Sequence, residues 1–372
     1  MCHIWLRVRD AELNDNGSWN LAVVLKMALQ THPPDTDLIG VEPGAGPWEP
    51  STVHTHYFGF QVPEAAIGGF LYIRYQPFFP LSQGSVVIFE GLDNLTHLDA
   101  AFLDWQMAMP YPQVSGQAIT TANGFRIDFL ELGRSARTTY TSSDGTTSFD
   151  LVHTAVTPLV ARSAVIPGEN IHESDEPGGT EQFMHCVGEL TLRRRNYTVD
   201  CYMPRDRSWR QSRTEQRGGR HDPPVAWTPI YFPDARLAFN QVGFESPETE
   251  PVWAGALAIP PGAPEYHFAW ICADGELREV TQVCRSVDEL HPELPAPLRQ
   301  TIEARDNTGA RYRFTGEAVA LAAIPSWPNA ATYDSVVRWT DADGHLGYGP
   351  CQGIWYDEFA QLMKRKRLTD AR

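Results

Sequence analysis

With 372 residues, 42% of them hydrophobic and 20% charged, the chain is long enough for two domains of ordinary size, each with a large buried core. A formal net charge of −16 repels phosphate backbones, and cations are dense only in RRRN (193–196), PRDRSWRQSR (204–213) and KRKR (364–367), so a nucleic-acid partner is not expected. No run approaches the roughly 18 apolar residues that span a bilayer and the first residues carry no signal-peptide pattern, so the expectation is a cytoplasmic protein acting on a small hydrophobic substrate, its oligomeric state open.

The predicted elements are strands. HTHYFGFQV (54–62), GGFLYIRYQ (68–76) and GSVVIFEGL (84–92) are aromatic and β-branched runs separated by Pro and Gly, spaced as an antiparallel meander. HLDAAFLDWQMAM (97–109) is the one early segment read as a short helix. FRIDFLELG, ARTTYTSS and TSFDLVHTAVTPLV continue the strand series to about residue 160, with a tight turn at SSDGTT (142–147). The Pro/Gly-rich, acidic segment 166–181 is the natural connection between a first block, 1–165, and a second, 182–372. That second block repeats the pattern, with hairpin signals at ADGEL, DNTGA and DADGH, and ends in YDEFAQLMKRKRL, whose apolar spacing predicts a terminal helix. The fold class is therefore all-β: two successive antiparallel barrels or sandwiches and a short C-terminal helix.

No Gly-rich phosphate loop, H-E-x-x-H or G-x-S-x-G motif is present. The six cysteines (Cys2, Cys186, Cys201, Cys272, Cys284, Cys351) form no C-x-x-C pair and are expected as buried thiols.

The stretch EQFMHCVGELTLRRRNYTVDCYMPRDRSWRQSR (181–213) resembles the bacterial and fungal family that includes hydroxyneurosporene synthase (carotenoid 1,2-hydratase) and kievitone hydratase, whose second domain carries a similar Asp-x-Ser-Trp-Gly-x-Arg element after such a hairpin. HTHYFGFQVPEAAIGGFLYIRYQP and DADGHLGYGPCQGIW are similar to its first-domain strands and closing hairpin. The resemblance implies tandem lipocalin-like barrels with a pocket near their junction. One departure is Arg210, which stands where the family has Gly; Gly serves where the backbone needs φ > 0.

Adding water to an alkene, or removing it from an alcohol, needs a proton donor, a base for water and a surface that tolerates cationic character. Asp206 is the candidate acid and Trp209 the cation-stabilising face, with Arg207, Tyr57 and Tyr72 as further substrate contacts. Against this, an Asp between Arg205 and Arg207, with Arg210 and Arg213 near, also reads as a structural ion-pair network whose cations lower its pKa. Glu181 and His185, i and i+4 on one strand, would share a face as base and hydrogen-bonding partner, with Cys186 turned away. His54 and His56 form an H-x-H pair, an element of metal or haem sites that His153, His185, His221 or His267 would complete. Tyr57, Phe58, Phe60, Tyr72, Tyr75, Phe78 and Phe79 read as core and barrel lining. Three functions follow: a cofactor-independent hydratase, dehydratase or isomerase acting on a terpenoid- or phenylpropanoid-type alkene or alcohol; a haem- or iron-dependent alkene oxygenase; and a non-catalytic binder or pericyclase-like scaffold.

Overall fold

The computed structural model describes residues 29, 31–38, 40–41, 48–162, 170–171, 178–212, 224–245, 267–327 and 329–370. Cys2, Arg213, His221, the side chain of His267 and most of the 166–181 connection lie outside the described residues.

The first sheet contains β1 (Thr52–Val62), β2 (Ile67–Gln76), β3 (Leu81–Glu90), β4 (Phe102–Pro110), β5 (Gln113–Ser115), β6 (Ala118–Thr120), β7 (Arg126–Glu131), β8 (Ser135–Thr141), β9 (Ser148–Ala155), β10 (Val160–Ala161), β11 (Asn170–Ile171), β12 (Gly178–Leu192) and β13 (Arg195–Ser212). Its order is β4-β3-β2-β1-β13-β12-β9-β8-β7-β6-β5, with β10 on β12 and β11 on β13. The sheet curls until Tyr140 of β8 donates a hydrogen bond of 2.5 Å to Asp104 of β4.

The hairpin β12–β13, read in the sequence as the opening of the second block, lies in the middle of this first sheet, between β1 and β9. Sheet membership changes only between Ser212 and Val225. Chain order misleads here because an antiparallel sheet is assembled by register, and β13 matches β1 over Tyr57↔Asp206 and His56↔Arg207 while β12 matches β9 over Cys186↔His153. Segment 97–109 also departs from the sequence reading. Thr96 and Asp99 close a capping box on the single 3₁₀ turn His97–Asp99, after which the chain extends as β4 and pairs with β3. Main-chain pairing with β3 outweighs a weak helical pattern.

The second sheet holds β14 (Val225–Trp227), β15 (Ile230–Phe232), β16 (Leu237–Phe244), β17 (His267–Ala273), β18 (Glu276–Leu290), β19 (Pro297–Asp306), β20 (Arg311–Trp327), β21 (Ala330–Asp341), β22 (Leu346–Gly347) and β23 (Pro350–Tyr356). In the order β14-β23-β21-β20-β19-β18-β17-β16 the last strand pairs back to β14, so the sheet closes into a barrel. Closure leaves these eight strands without an open edge. The helix α1 (Asp357–Asp370) follows β23, as the terminal pattern predicts. Among the described residues no helix is long and apolar enough to cross a membrane.

Strands β1 to β3 are buried along almost their whole length, unlike β8 and β9, where buried and exposed residues alternate. The reason is double coverage. Phe58, Phe60, Ile73, Val86 and Ile88 point into the first barrel, whereas Tyr57, Phe70, Tyr72, Val87 and Phe89 share a core with Val225, Trp227, Trp270, Ala320 and Val336 of the second. Each such side chain withdrawn from water contributes about 1.5–3 kcal/mol. That apolar seam holds the two sheets face to face.

Candidate active site

Antiparallel register places one row of side chains across the first sheet. Tyr72 of β2 pairs with Tyr57 of β1, Tyr57 with Asp206 of β13, and Asp206 with Glu181 of β12. Residues directly opposite on neighbouring strands lie about 4.5–5.5 Å apart and point to the same face. All four line a cavity of ≈ 80 Å³ between the sheets, room for several waters or a small flat group. Its remaining wall includes Phe70, Val225, Trp227, Val242, Trp327 and Ile354, with Ser326, Thr332 and Gln352 as polar points.

Glu181 is buried, and only neutral donors bond to it. Asn240 Nδ2–H donates to Glu181 Oε2 at 2.6 Å, and Trp270 Nε1–H donates to the same oxygen at 3.4 Å. Trp227 Nε1–H in turn donates to Asn240 Oδ1 at 2.8 Å and sets the amide's orientation. Burial pushes the Glu181 carboxyl up to about 8, the Asp206 carboxylate acts in the same direction, and Arg162 opposes both. Desolvation dominates because a buried carboxylate loses more hydration than two neutral donors and one cation, already engaged elsewhere, return.

That cation belongs to Asp206. Arg162 Nη1–H donates to Asp206 Oδ2 at 2.8 Å and Arg162 Nη2–H to Ser208 Oγ at 2.8 Å, with the Arg162 side chain 5% exposed. Two carboxyl groups on neighbouring strands therefore occupy different environments, one ion-paired and one driven toward its neutral acid.

Arg205 and Arg207 point to the opposite face, into the first barrel. Arg205 donates to Asp37 Oδ1 at 2.6 Å and to Gln182 Oε1 at 2.8 Å; Gln182 donates to the carbonyls of Gly133 and Thr157. Arg207 donates to the carbonyls of Thr55 and Ser208. The ion pairing expected around PRDRSWRQSR is real for Arg205, which ties the 3₁₀ segment Pro34–Leu38 to β13. It leaves Asp206 out, since adjacent strand residues face opposite ways. Arg207 accordingly lies behind the cavity wall rather than in it.

Trp209 is also off the cavity. It pairs with Gly178, where a Cβ would come within 2.3 Å of the indole, and stands edge-on to His32 at 5.2 Å. His185 shares Glu181's face but lies beyond the cavity, partly exposed, with Nε2–H donating to Asp200 at 2.7 Å and its ring stacked on Tyr202. Cys186 faces the first barrel, as the alternation requires.

His54 and His56 are buried and turned into the first barrel. His56 Nε2–H donates to the Asp37 carbonyl and Nδ1 accepts from Tyr75 Oη, both at 3.0 Å; His54 Nδ1 accepts from the Arg210 amide at 3.0 Å. Burial, reinforced by Arg207, keeps both rings neutral, His54 at about 2. His153 bonds to Thr138 instead. Among the described residues, the only group of three His, Cys, Asp or Glu ligand atoms within 4.8 Å of one another is Asp341, Asp343 and His345, in a hairpin turn. The H-x-H pair thus gathers no third ligand there.

Arg210 has φ = +54°, the left-handed region where glycine is least strained. The register of β1 against β13 shifts at this point, between Val53 and Thr55, and the bulge aims the Arg210 amide at His54. Its guanidinium lies 5.4 Å from the Trp48 ring centroid.

Sequence reasoning missed Arg162, Asn240, Trp227, Trp270, Asp334 and Gln352. Asp334 and Asn240 had a legible signal, each being a polar residue inside an apolar strand run (TYDSVV, AFNQVGF). Asp334 is buried on β21 opposite Gln352 of β23, and burial pushes its carboxyl up to about 8 against the nearby Gln352 amide and Ser335 backbone. Arg162 had none, because its partners come from 44 and 46 residues away.

A family profile described as "Domain of unknown function (DUF7064)" matches residues 42–357, most of the chain. The chain belongs to this family. No curated protein matches it. Among solved structures, this DUF7064 protein is similar to kievitone hydratase from Nectria haematococca at 12% identity and a TM-score of 0.47, covering 82% of this chain and 89% of that one. It is also similar to CghA in complex with Sch210972, at 11% identity and a TM-score of 0.46, with the same coverage. Likeness at this level assigns neither a reaction nor a substrate.

Proposed function

We propose that the chain is a cofactor-independent hydratase, dehydratase or isomerase acting by acid–base chemistry on a hydrophobic alkene or alcohol of terpenoid or phenylpropanoid type. The observation that carries this reading is the pair Glu181 and Asp206: adjacent carboxyls in one aromatic-walled cavity, their environments pushed apart by burial on one side and Arg162 on the other. Such separation is how one site supplies both an acid and a base near neutral pH.

The role of each residue follows from its bonds. Asn240 and Trp270 both donate to Glu181 Oε2, so the proton of the neutral acid sits on Oε1. In the hydration direction Glu181 delivers that proton to one alkene carbon. The rings of Phe70, Tyr72 and Trp227 present electron-rich faces to positive charge developing at the other. Water attacks that carbon as Asp206 takes its proton. Transfer of the proton from Asp206 to Glu181, across paired positions of β13 and β12, restores the resting state. Run backward, the same steps remove water; if Asp206 instead takes a proton from carbon, the double bond migrates.

Glu181→Gln keeps the acceptor oxygen for Asn240 and Trp270 but has no acidic proton. Turnover of a prenylated aromatic alkene, followed as incorporation of one carbon-bound deuterium from deuterated water, is expected to fall at least about a hundredfold, the usual scale of a general acid. Undiminished turnover in a folded Glu181→Gln protein refutes the assignment.

A further inference from the structure

Three polar atoms at the other side of this cavity are buried and reach no partner at hydrogen-bonding geometry, although the Gln352 amide lies beside both of the others: Tyr57 Oη, Gln352 Nε2 and Asp334 Oδ1. Their residues are 3%, 5% and 2% exposed, and Tyr57 and Gln352 line the cavity. Buried groups of this kind are nearly always satisfied, and leaving one unpaired costs about 1–3 kcal/mol. Two in one cavity wall, with a third behind them, mark a place where a bound molecule completes the bonding.

The chemistry of that molecule follows from what is unmet. Burial holds the Tyr57 phenol well above its ordinary pKa, so its hydroxyl keeps a proton to donate. The Gln352 Nε2 atom donates as well. Two donors side by side in the wall of one cavity call for an acceptor with two lone pairs. Asp334 is held toward its neutral acid by burial and so brings little negative charge to repel such an acceptor. An anion fits poorly: Arg162 is committed to Asp206 and Ser208, and Asp206 is Tyr57's neighbour in the row.

We infer that Tyr57 and Gln352 form a subsite for a neutral carbonyl oxygen, so that the ligand is an aryl- or alkenyl-ketone rather than a bare hydrocarbon. The inference deepens the reading of this cavity as the substrate site and rests on it. Tyr57 stands one strand from Asp206 and two from Glu181, which brings the carbonyl end beside the acid–base pair and suits an alkene conjugated to that carbonyl. With such a substrate the order of the steps reverses: water, its proton taken by Asp206, attacks the carbon β to the carbonyl, negative charge gathers on the oxygen held by the two donors, and Glu181 then protonates the α carbon.

Binding tests the subsite without turnover. Calorimetric titration with benzylideneacetone and with its deoxygenated counterpart 1-phenyl-1-butene compares one aryl alkene with and without the carbonyl. The ketone is expected to bind about tenfold tighter, the worth of one to two buried hydrogen bonds. That ratio should fall toward one in Tyr57→Phe/Gln352→Leu, while the hydrocarbon's own Kd stays within about twofold and reports an intact cavity. If the double variant does not fold, Tyr57→Phe alone is expected to lower the ratio about threefold. Equal affinities in the wild type, no detectable ketone binding, or a ratio unchanged in a folded variant each overturn the inference. Glu181→Gln separates this result from the proposed function: a preserved ratio with undiminished turnover removes only the acid–base assignment, and a lost ratio with lost turnover in Glu181→Gln removes only the subsite.

Discussion

The raised carboxyl of Glu181 makes the protein's stability depend on pH in a direction that is easy to mistake. Its ordinary pKa is 4.5 and its folded value about 8, so between those limits the folded chain holds a proton that the unfolded chain has released. The stabilising contribution is complete below about pH 4.5 and is lost as pH rises through 8, at about 1.4 kcal/mol per pH unit, the opposite sign to an ordinary ion-paired carboxylate. From pH 5.5 to 7.5 the wild type therefore gives up about 3 kcal/mol on this account, and Glu181→Gln, which has nothing to titrate, does not. At roughly 2.1 cal/mol/K per residue over 372 residues, that difference is a shift of about 4 °C in Tm. Paired thermal scans of both proteins across this range measure it, since titrating groups that do not interact with Glu181 cancel in the comparison. Parallel curves, with the two Tm values falling together, refute the claim that Glu181 is neutral in the folded state.

Two further predictions concern neighbouring residues. Arg162→Met strands Asp206 beside Glu181 and should cost about 3 kcal/mol, part of which Asp206→Asn recovers in the same background; additive effects in that double-mutant cycle exclude the pair as an energetic unit. Arg210→Gly relieves a left-handed residue and should be neutral to about 1 kcal/mol stabilising despite the lost contact with Trp48, whereas Arg210→Val should destabilise by more than 1 kcal/mol; thermal melts with the order of the two reversed exclude strain at this position.

Much of the architecture was legible because strands announce themselves locally. The Asp-Gly turn at 144–145 and the alternation in β8 and β9 read directly as strands with one wet face, and the aromatic and β-branched runs of β1 to β3 read as strands. Those runs also record coverage on both faces, though the sequence does not say by what. Sheet membership was not legible, because whether β12 and β13 join the strands before or after them is decided by register over long separations. The site was half legible for the same reason. Glu181, Asp206, Tyr57 and Tyr72 are brought together by the sheet, but Trp209 and Arg207, only one or three residues from Asp206, are carried to the other face by the alternation of the strand.

That alternation also answers why an acidic chain gathers arginines around one aspartate. On β13 the odd positions Arg205 and Arg207 enter the first barrel and anchor Asp37 and backbone carbonyls, while the even position Asp206 meets the cavity and takes its cation from Arg162, at the end of β10. Had the flanking arginines faced the cavity, their field would have stabilised the Glu181 carboxylate and drawn its pKa down. Turning them away lets desolvation prevail, and desolvation comes from the second sheet, whose Asn240, Trp227 and Trp270 bury Glu181 without charging it. The acid is therefore a property of the assembled pair of sheets: the first contributes the carboxyls in register, and only contact with the second makes one of them neutral.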